Sequence, residues 1–468
     1  MRLNKRVFLL IFFYSLVNTF LCTAWAQSLP AWYLVSFKNK NNSPYSLQQA
    51  SEYLSQKAIL RREKAKIEID SSDMPVNPNY IDSIISYGLK PSFYSKWLNA
   101  TLVTVENPQQ LAHLQQSSLI DSLAYVAPFL APTIVSKHKN KIRHKLFTKS
   151  FNPDLQSIAQ FTNTKSRIEM IALDKLMAQA YIGKSVQIAV FDNGFYHVNQ
   201  LKAFAHLFSQ SQILGAKDFT SAGTRVYEAG NHGTAVLSVM AAYINQSYVG
   251  SAIGAQYYLY KTEDDRFEFP VEECYWLFAA EQADSSGVDI ITSSLGYTEF
   301  DQIALNHKPT QLNGKSSIIS RAARWAAQKG ILVVVSAGND GNHHWQKISF
   351  PADAEGIITV GGVNNKGERA AFSSMGNSAD GRIKPEVMTL GQNTAIVGEQ
   401  GTIIYANGTS YSAPFMAGAA ASLMQAKPQA TAHEIREAII QSSSRFMTPD
   451  SLMGYGIPNL FKAMSLLK

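Results

Sequence analysis

Between residue 27 and about residue 132 the spacing of apolar positions changes several times. Residues 32–37 alternate apolar and polar and predict a strand, while residues 47–66 space their apolar side chains among Gln, Glu, Lys and Arg as an amphipathic helix does. Residues 100–105 and 123–129 predict further short strands on either side of a helical 108–118. Two helices on one short sheet make a small α+β unit. From about residue 161 the pattern is different. Residues 186–191, 257–260, 288–291, 331–335 and 357–360 are short apolar runs without polar alternation, and 201–208, 271–283 and 317–328 have helical spacing. Strands that are apolar on both sides are buried on both faces, so this part predicts an α/β fold, a parallel sheet flanked by helices. In such sheets ligands bind at the carboxyl ends of the strands.

The 468 residues carry a net charge of +7, which would suit a nucleic-acid partner if it lay on one face. It does not. Residues 27–150 hold 15 basic and 8 acidic residues, whereas residues 151–468 hold 24 basic and 27 acidic. Opposite signs in two parts of one chain favour their binding each other, and no nucleic-acid partner is expected. Lys137, Lys139, Lys141, Arg143, Lys145 and Lys149 form a like-charge run that repels itself and reads as an exposed linker over residues 133–160.

At the start, Arg2, Lys5 and Arg6 precede an apolar run over residues 7–21, followed by Ala24-Trp25-Ala26. This is the order of a cleaved export signal over residues 1–26. The run is interrupted by Ser15, Asn18 and Thr19 and is shorter than the about 20 apolar residues of a membrane span, so no stable span is expected. Secreted or periplasmic export follows. The remaining thiol, Cys274, lies among Val271, Tyr275, Leu277 and Phe278 at helical spacing and reads as a core residue.

Four residues at strand ends and helix starts have chemistry in common. Asp192 directly follows the strand predicted over 186–191. His232 sits in Gly230-Asn231-His232-Gly233-Thr234 before an apolar helix. Ser410 sits in Gly408-Thr409-Ser410 before another, and Asn339 ends Val335-Ser336-Ala337-Gly338-Asn339. Singly, each is an ordinary turn former or helix cap. Together they match a known requirement. A serine hydroxyl becomes a nucleophile when an imidazole takes its proton, and the imidazole needs a carboxylate to orient it and stabilise its cation. An Asn amide and the backbone N–H of Ser410 can then donate to the oxyanion of a tetrahedral intermediate.

At these residues the chain resembles the subtilisin-like serine proteases, the subtilase family. The resemblance runs from about Phe161 onwards and rests on Tyr181-Ile182-Gly183-Lys184, Asn231-His232-Gly233-Thr234, Ser293-Ser294-Leu295-Gly296, Ser336-Ala337-Gly338-Asn339, Gly408-Thr409-Ser410 with Ala413-Pro414, and Gly454-Tyr455-Gly456-Ile457-Pro458-Asn459, in that order. It implies a subtilisin-like catalytic domain over residues 161–468, with Asp192, His232 and Ser410 as catalytic triad, Asn339 in the oxyanion hole and Ser294, Leu295 and Gly296 as a substrate-binding edge. It also implies that residues 27–132 are an inhibitory propeptide, cut off after folding, whose last segment near residues 125–129 lies across the active site. The partners are then protein or peptide substrates and the chain's own propeptide. Asn193 stands where the family usually has Thr or Ser, Ser412 where Ala is common, and Phe161 and Arg167 where Tyr and Gln are expected. With the chain ending at Lys468, no added sorting or carbohydrate-binding module is expected.

No cofactor is expected. Family members often bind calcium in surface loops, but no run of alternating acidic ligands occurs here and no metal site is assigned. Adjacent His343 and His344 lack the i, i+4 spacing of a helical zinc site and read as a polar loop. The rival reading from another class is a catalytically silent binding protein on the same fold.

Overall fold

The computed structural model describes residues 29–129, 151, 153, 160–220 and 225–468. The expected leader and nearly all of the basic linker therefore lie outside the described residues.

Two sheets organise the chain. The first has four antiparallel strands, β1 (Ala31–Phe37), β2 (Lys90–Ser95), β3 (Ala100–Val105) and β4 (Ile120–Pro128), in the order β2-β3-β1-β4. Helices α1 (Gln56–Ala65), α2 (Pro78–Ser86) and α3 (Pro108–Gln116) accompany it. The expected helix 47–66 is broken: a 3₁₀ turn occupies Leu47–Glu52, and Ser55 caps α1 by accepting a hydrogen bond from the Ala58 N–H. The segment expected to reach the crevice is still paired in this sheet as far as Pro128, opposite Ala31, with Phe129 edge-on to Trp32.

The second sheet has seven strands, all parallel: β5 (Gln187–Asp192), β6 (Ile213–Asp218), β7 (Gln256–Lys261), β8 (Ile290–Ser293), β9 (Leu332–Ser336), β10 (Ile358–Val363) and β11 (Val387–Leu390), ordered β11-β10-β9-β8-β5-β7-β6. Alternate residues of one strand enter different cores. Ile188 and Val190 pack with α4 (Asn231–Ala241) and α7 (Thr409–Ala426), while Ala189 and Phe191 pack with α5 (Val271–Ser286) and α6 (Ile318–Gln328). That is why these strands read as unbroken apolar runs. Cys274 is fully buried in the second of these cores, and burial holds its thiol far above the ordinary range.

The small sheet uses both faces, and only one belongs to its own unit. Tyr33, Val35, Val103 and Val105 pack with Ile84 of α2 and Leu114 of α3, whereas Leu34, Ala100, Leu102 and Val126 join the core around α5 and α6. Phe93 stacks on Phe278 at 5.2 Å between ring centroids, and Trp32 meets Tyr275 edge-on at 6.4 Å.

Around this apolar contact lies a set of buried charges. Asp284 of α5 accepts from Arg61 at 2.6 Å, Arg62 at 2.9 Å and Lys96 at 2.7 Å. Burial works to raise its pKa, but the three cations hold the carboxyl well below the ordinary range. Arg62 also pairs with Asp73, which accepts in turn from Lys329 of the large unit at 2.9 Å. One turn away, Glu281 accepts from Ser95 Oγ at 2.5 Å and from the backbone N–H groups of Lys96 and Trp97 at 2.7 and 3.1 Å. Truncating one partner of a buried ion pair leaves the others uncompensated. Asp284→Ala should therefore destabilise the uncut chain by about 3–5 kcal/mol, measured by urea titration, with the loss falling on the small sheet.

Candidate active site

Asp192 is the last residue of β5 rather than the residue after it, and its carboxylate is fully buried. A bare buried charge is costly, so its hydrogen bonds matter. Oδ1 accepts from the Asn193 N–H at 2.9 Å and is paired with His232 Nδ1 at 2.8 Å. The helix that carries His232 approaches very closely: a Cβ on Gly233 would lie 2.1 Å from Gly194 O and 2.9 Å from Asp192 Cβ, so only glycine fits. Asn193 ties the same two elements, its Oδ1 accepting from the Gly233 N–H at 3.3 Å and its Nδ2 donating to Asp265 at 2.9 Å. The Asn that departs from the family pattern thus fixes the start of α4 against the end of β5.

His232 is the second residue of α4, and its side chain is about one-third exposed. Burial works to lower its pKa. The Asp192 carboxylate, by charge and hydrogen bond, overcomes this with help from Glu263 and Asp265, and the imidazole rises from 6.5 to about 9. A raised histidine pKa stabilises the fold fully below about pH 6.5, and that contribution is lost as pH rises through about 9.

Ser410 is the second residue of α7 and is 7% exposed. It does not cap the helix: the N-cap is Gly408. Pro414 lies inside α7, not at its first position, and lacks the N–H that would bond Ser410 O. Ser294 Oγ donates to that freed carbonyl at 2.9 Å, which anchors the 294–296 edge beside the serine. The Ser410 hydroxyl donates back to Ser294 O at 3.4 Å. The adjacent Tyr411 ring has its centroid 6.3 Å from that of His232. Among the described residues no hydrogen bond joins His232 to Ser410; the structure brings them into one crevice without closing that contact.

Asn339 follows β9 and is exposed. Its Oδ1 accepts from the Thr409 N–H at 2.9 Å and from Thr409 Oγ1 at 3.0 Å. Among the described residues its NH₂ group has no hydrogen-bond partner. The Ser410 N–H, in the first turn of a helix, has no intrahelical acceptor and adds a second donor nearby. Ser412 exchanges hydrogen bonds with Thr389 of β11, Thr389 Oγ1 donating to Ser412 O at 3.0 Å and Ser412 Oγ donating to Thr389 O at 3.3 Å. His343 and His344 sit in the loop after Asn339, facing Asp340 at 3.7 Å and Glu299 at 3.1 Å. Among the described residues no group of three His, Cys, Asp or Glu is placed to hold a metal ion. No described helix is long and apolar enough to cross a membrane.

Sequence reasoning did not find the roles of Asn193, Thr409 and Ser294 Oγ in holding these groups. A signal existed for the last: a proline four residues after Ser410 frees that residue's carbonyl.

Comparison with known proteins gives a match to the subtilase family over residues 183–456 and to the peptidase S8 propeptide domain of Bacteroidota over residues 32–144. Subtilisin DY of Bacillus licheniformis is 28% identical over 279 residues, 59% of this chain and 90% of that protein. Serine protease AprX of Bacillus subtilis is 27% identical over 314 residues, 60% of this chain and 66% of its own length. The crystal structure of MycP1 with its N-terminal propeptide removed superposes with a TM-score of 0.50 at 19% identity, covering 64% of this chain and 96% of that one, a likeness of fold.

The electrostatic reading of the pair can be checked directly. In the Ser410→Ala chain, the His232 ring protons followed by NMR should titrate near pH 9, and adding Asp192→Asn should move the midpoint down.

Proposed function

Since this chain belongs to the subtilase family and is a serine-type endopeptidase carrying an S8 propeptide domain, we propose that it cleaves proteins or peptides with Asp192, His232 and Ser410 as its catalytic triad. The observation that carries this assignment is the 2.8 Å contact between His232 Nδ1 and the fully buried Asp192, in the crevice where Ser410 begins α7. In this reading Ser410 Oγ attacks the scissile carbonyl and His232 takes its proton. The proton passes to the leaving amine, the acyl-enzyme forms, and water releases it by the reverse sequence. Asp192 holds the imidazole tautomer and stabilises its cation. Asn339 Nδ2 and the Ser410 N–H receive the oxyanion, and the 294–296 edge aligns the substrate backbone.

The reading also assigns residues 1–26 to an export signal, 27–132 to the propeptide, 133–160 to a basic linker cut on activation, and 161–468 to the catalytic domain of a secreted or periplasmic enzyme. Its support is the leader pattern, the docking of the small sheet on α5 and the Lys/Arg-rich sequence between the two units. The other reading, a silent binding protein on this fold, is separated by a serine-reactive fluorophosphonate, which labels Ser410 only if the site is competent.

Ser410→Ala should abolish casein hydrolysis and leave the precursor uncut, while the parent loses its N-terminal unit on a denaturing gel. Asn339→Ala should lower turnover about 100- to 1000-fold with KM little changed, measured on a chromogenic peptide.

A further inference from the structure

The small unit is packed as far as Phe129, whose N–H donates to Pro30 O at 2.9 Å. Phe151 already belongs to the large unit, well before residue 161. Its ring stacks on the His206 imidazole, with centroids 4.2 Å apart and planes 19° from parallel, and meets the Tyr243 ring edge-on at 5.1 Å. His206 is buried, and burial pushes its pKa down to about 4, so the ring is neutral at neutral pH and can be covered by an apolar side chain.

Phe161 packs on the same Tyr243 ring, at 5.9 Å between centroids, and is fully buried. Both ends of residues 151–161 therefore converge on one side chain. Close by, Asn163 Nδ2 donates to Ser247 O and Oγ at 3.2 and 3.0 Å, in the turn between the short paired strands Tyr243–Ile244 and Tyr248–Val249. The closure entropy of a loop grows only slowly with its length, so the aromatic contacts at its ends decide whether it stays in place. Phe151 and Pro153 also form part of the wall of a groove of about 900 Å³, together with Met177, Ile182 and Ile253. Ser185, Gln212 and Gln256 line it too, at the amino ends of β5, β6 and β7. Asp192 is at the other end of the six-residue β5, roughly 15–20 Å away. The seat of Phe151 is thus remote from the crevice that holds Ser410.

We propose that this seat is the docking site of the processed enzyme's own N-terminal arm: the cut that frees the small unit falls between Phe129 and Phe151, and Phe151 stays with Pro153 on the large unit. The inference deepens the endopeptidase reading above and rests on it for the cut. Every Lys and Arg of the 133–160 linker, from Lys137 to Lys149, precedes Phe151. A protease must draw the backbone out to cleave it, and bonds beside a packed aromatic ring open only at the cost of that packing.

N-terminal sequencing and intact mass of the enzyme processed by the parent chain should give a first residue no later than Phe151. A second measurement needs no activity of this chain. In the full-length Ser410→Ala protein, trypsin should cut within the Lys/Arg run, beyond which the next such residue is Lys165. In the protein cut in this way, Phe151→Ala should lower Tm by about 3–5 °C, and Phe151→Leu, which keeps an apolar side chain, by less. With Ser410 present, Phe151→Ala should leave kcat on a chromogenic peptide near that of the parent, as the seat lies at the far end of the sheet. A processed enzyme that begins after Pro153, or a Tm unchanged by Phe151→Ala, would overturn the proposal and leave the protease reading intact. A parent that stays uncut and resists fluorophosphonate labelling would overturn the reading on which the cut rests, and the trypsin-cut protein would still decide whether Phe151 docks.

Discussion

A sheet buried on both faces leaves its strand ends as the place where polar groups can be held without filling a core with unpaired donors and acceptors. Everything chemical here follows from that constraint. Asp192, the 294–296 edge and Asn339 continue three parallel strands, β5, β8 and β9, while His232 and Ser410 begin the helices packed against them. The buried carboxylate of Asp192 is tolerated because a backbone N–H and an imidazole meet it at 2.9 and 2.8 Å. The helix that carries Ser410 is held by a hydrogen bond that a regular helix would not leave open, to the Ser410 carbonyl released by Pro414.

Much of this was legible in the sequence, and the rest was hidden for physical reasons. The five central strands announced themselves because burial on both faces removes polar alternation. β6, with a half-exposed and partly polar sequence at the sheet edge, gave no such run, and β11 is only four residues long. In the small unit α2 and β2 went unread: β2 is an edge strand with alternating exposure that starts with Lys90-Pro91. The four candidate site positions were legible because each lies in a short motif with glycine or small residues around it. The ties between them were not, since Ser294 and Ser410 are 116 residues apart and nothing local marks their pairing.

Charge composition pointed to attraction between the basic N-terminal part and the acidic remainder, and the interface bears this out pair by pair only in part. Arg61, Arg62 and Lys96 meet Asp284, and Lys57 meets Asp289, with the expected signs. Lys329 of the large unit, however, meets Asp70 and Asp73 of the small one, the reverse polarity. Buried pairs of this kind add little net stability over apolar packing. Their effect is on geometry: a unit seated out of register would leave Arg61 and Lys96 without the carboxylate they share.

The shared face of the small sheet has a further consequence for time. Leu34, Ala100, Leu102 and Val126 belong to the core built on α5 and α6, so a small unit separated from the large one would expose that face and leave Arg61 and Lys96 without their acid, while Arg62 would keep Asp73. A sheet that exposes one of its two apolar faces to water loses part of its stability, and a segment that opens is exposed to proteolysis. If the small unit is released as proposed, the face it exposes would favour its degradation over its return, and release would run in one direction.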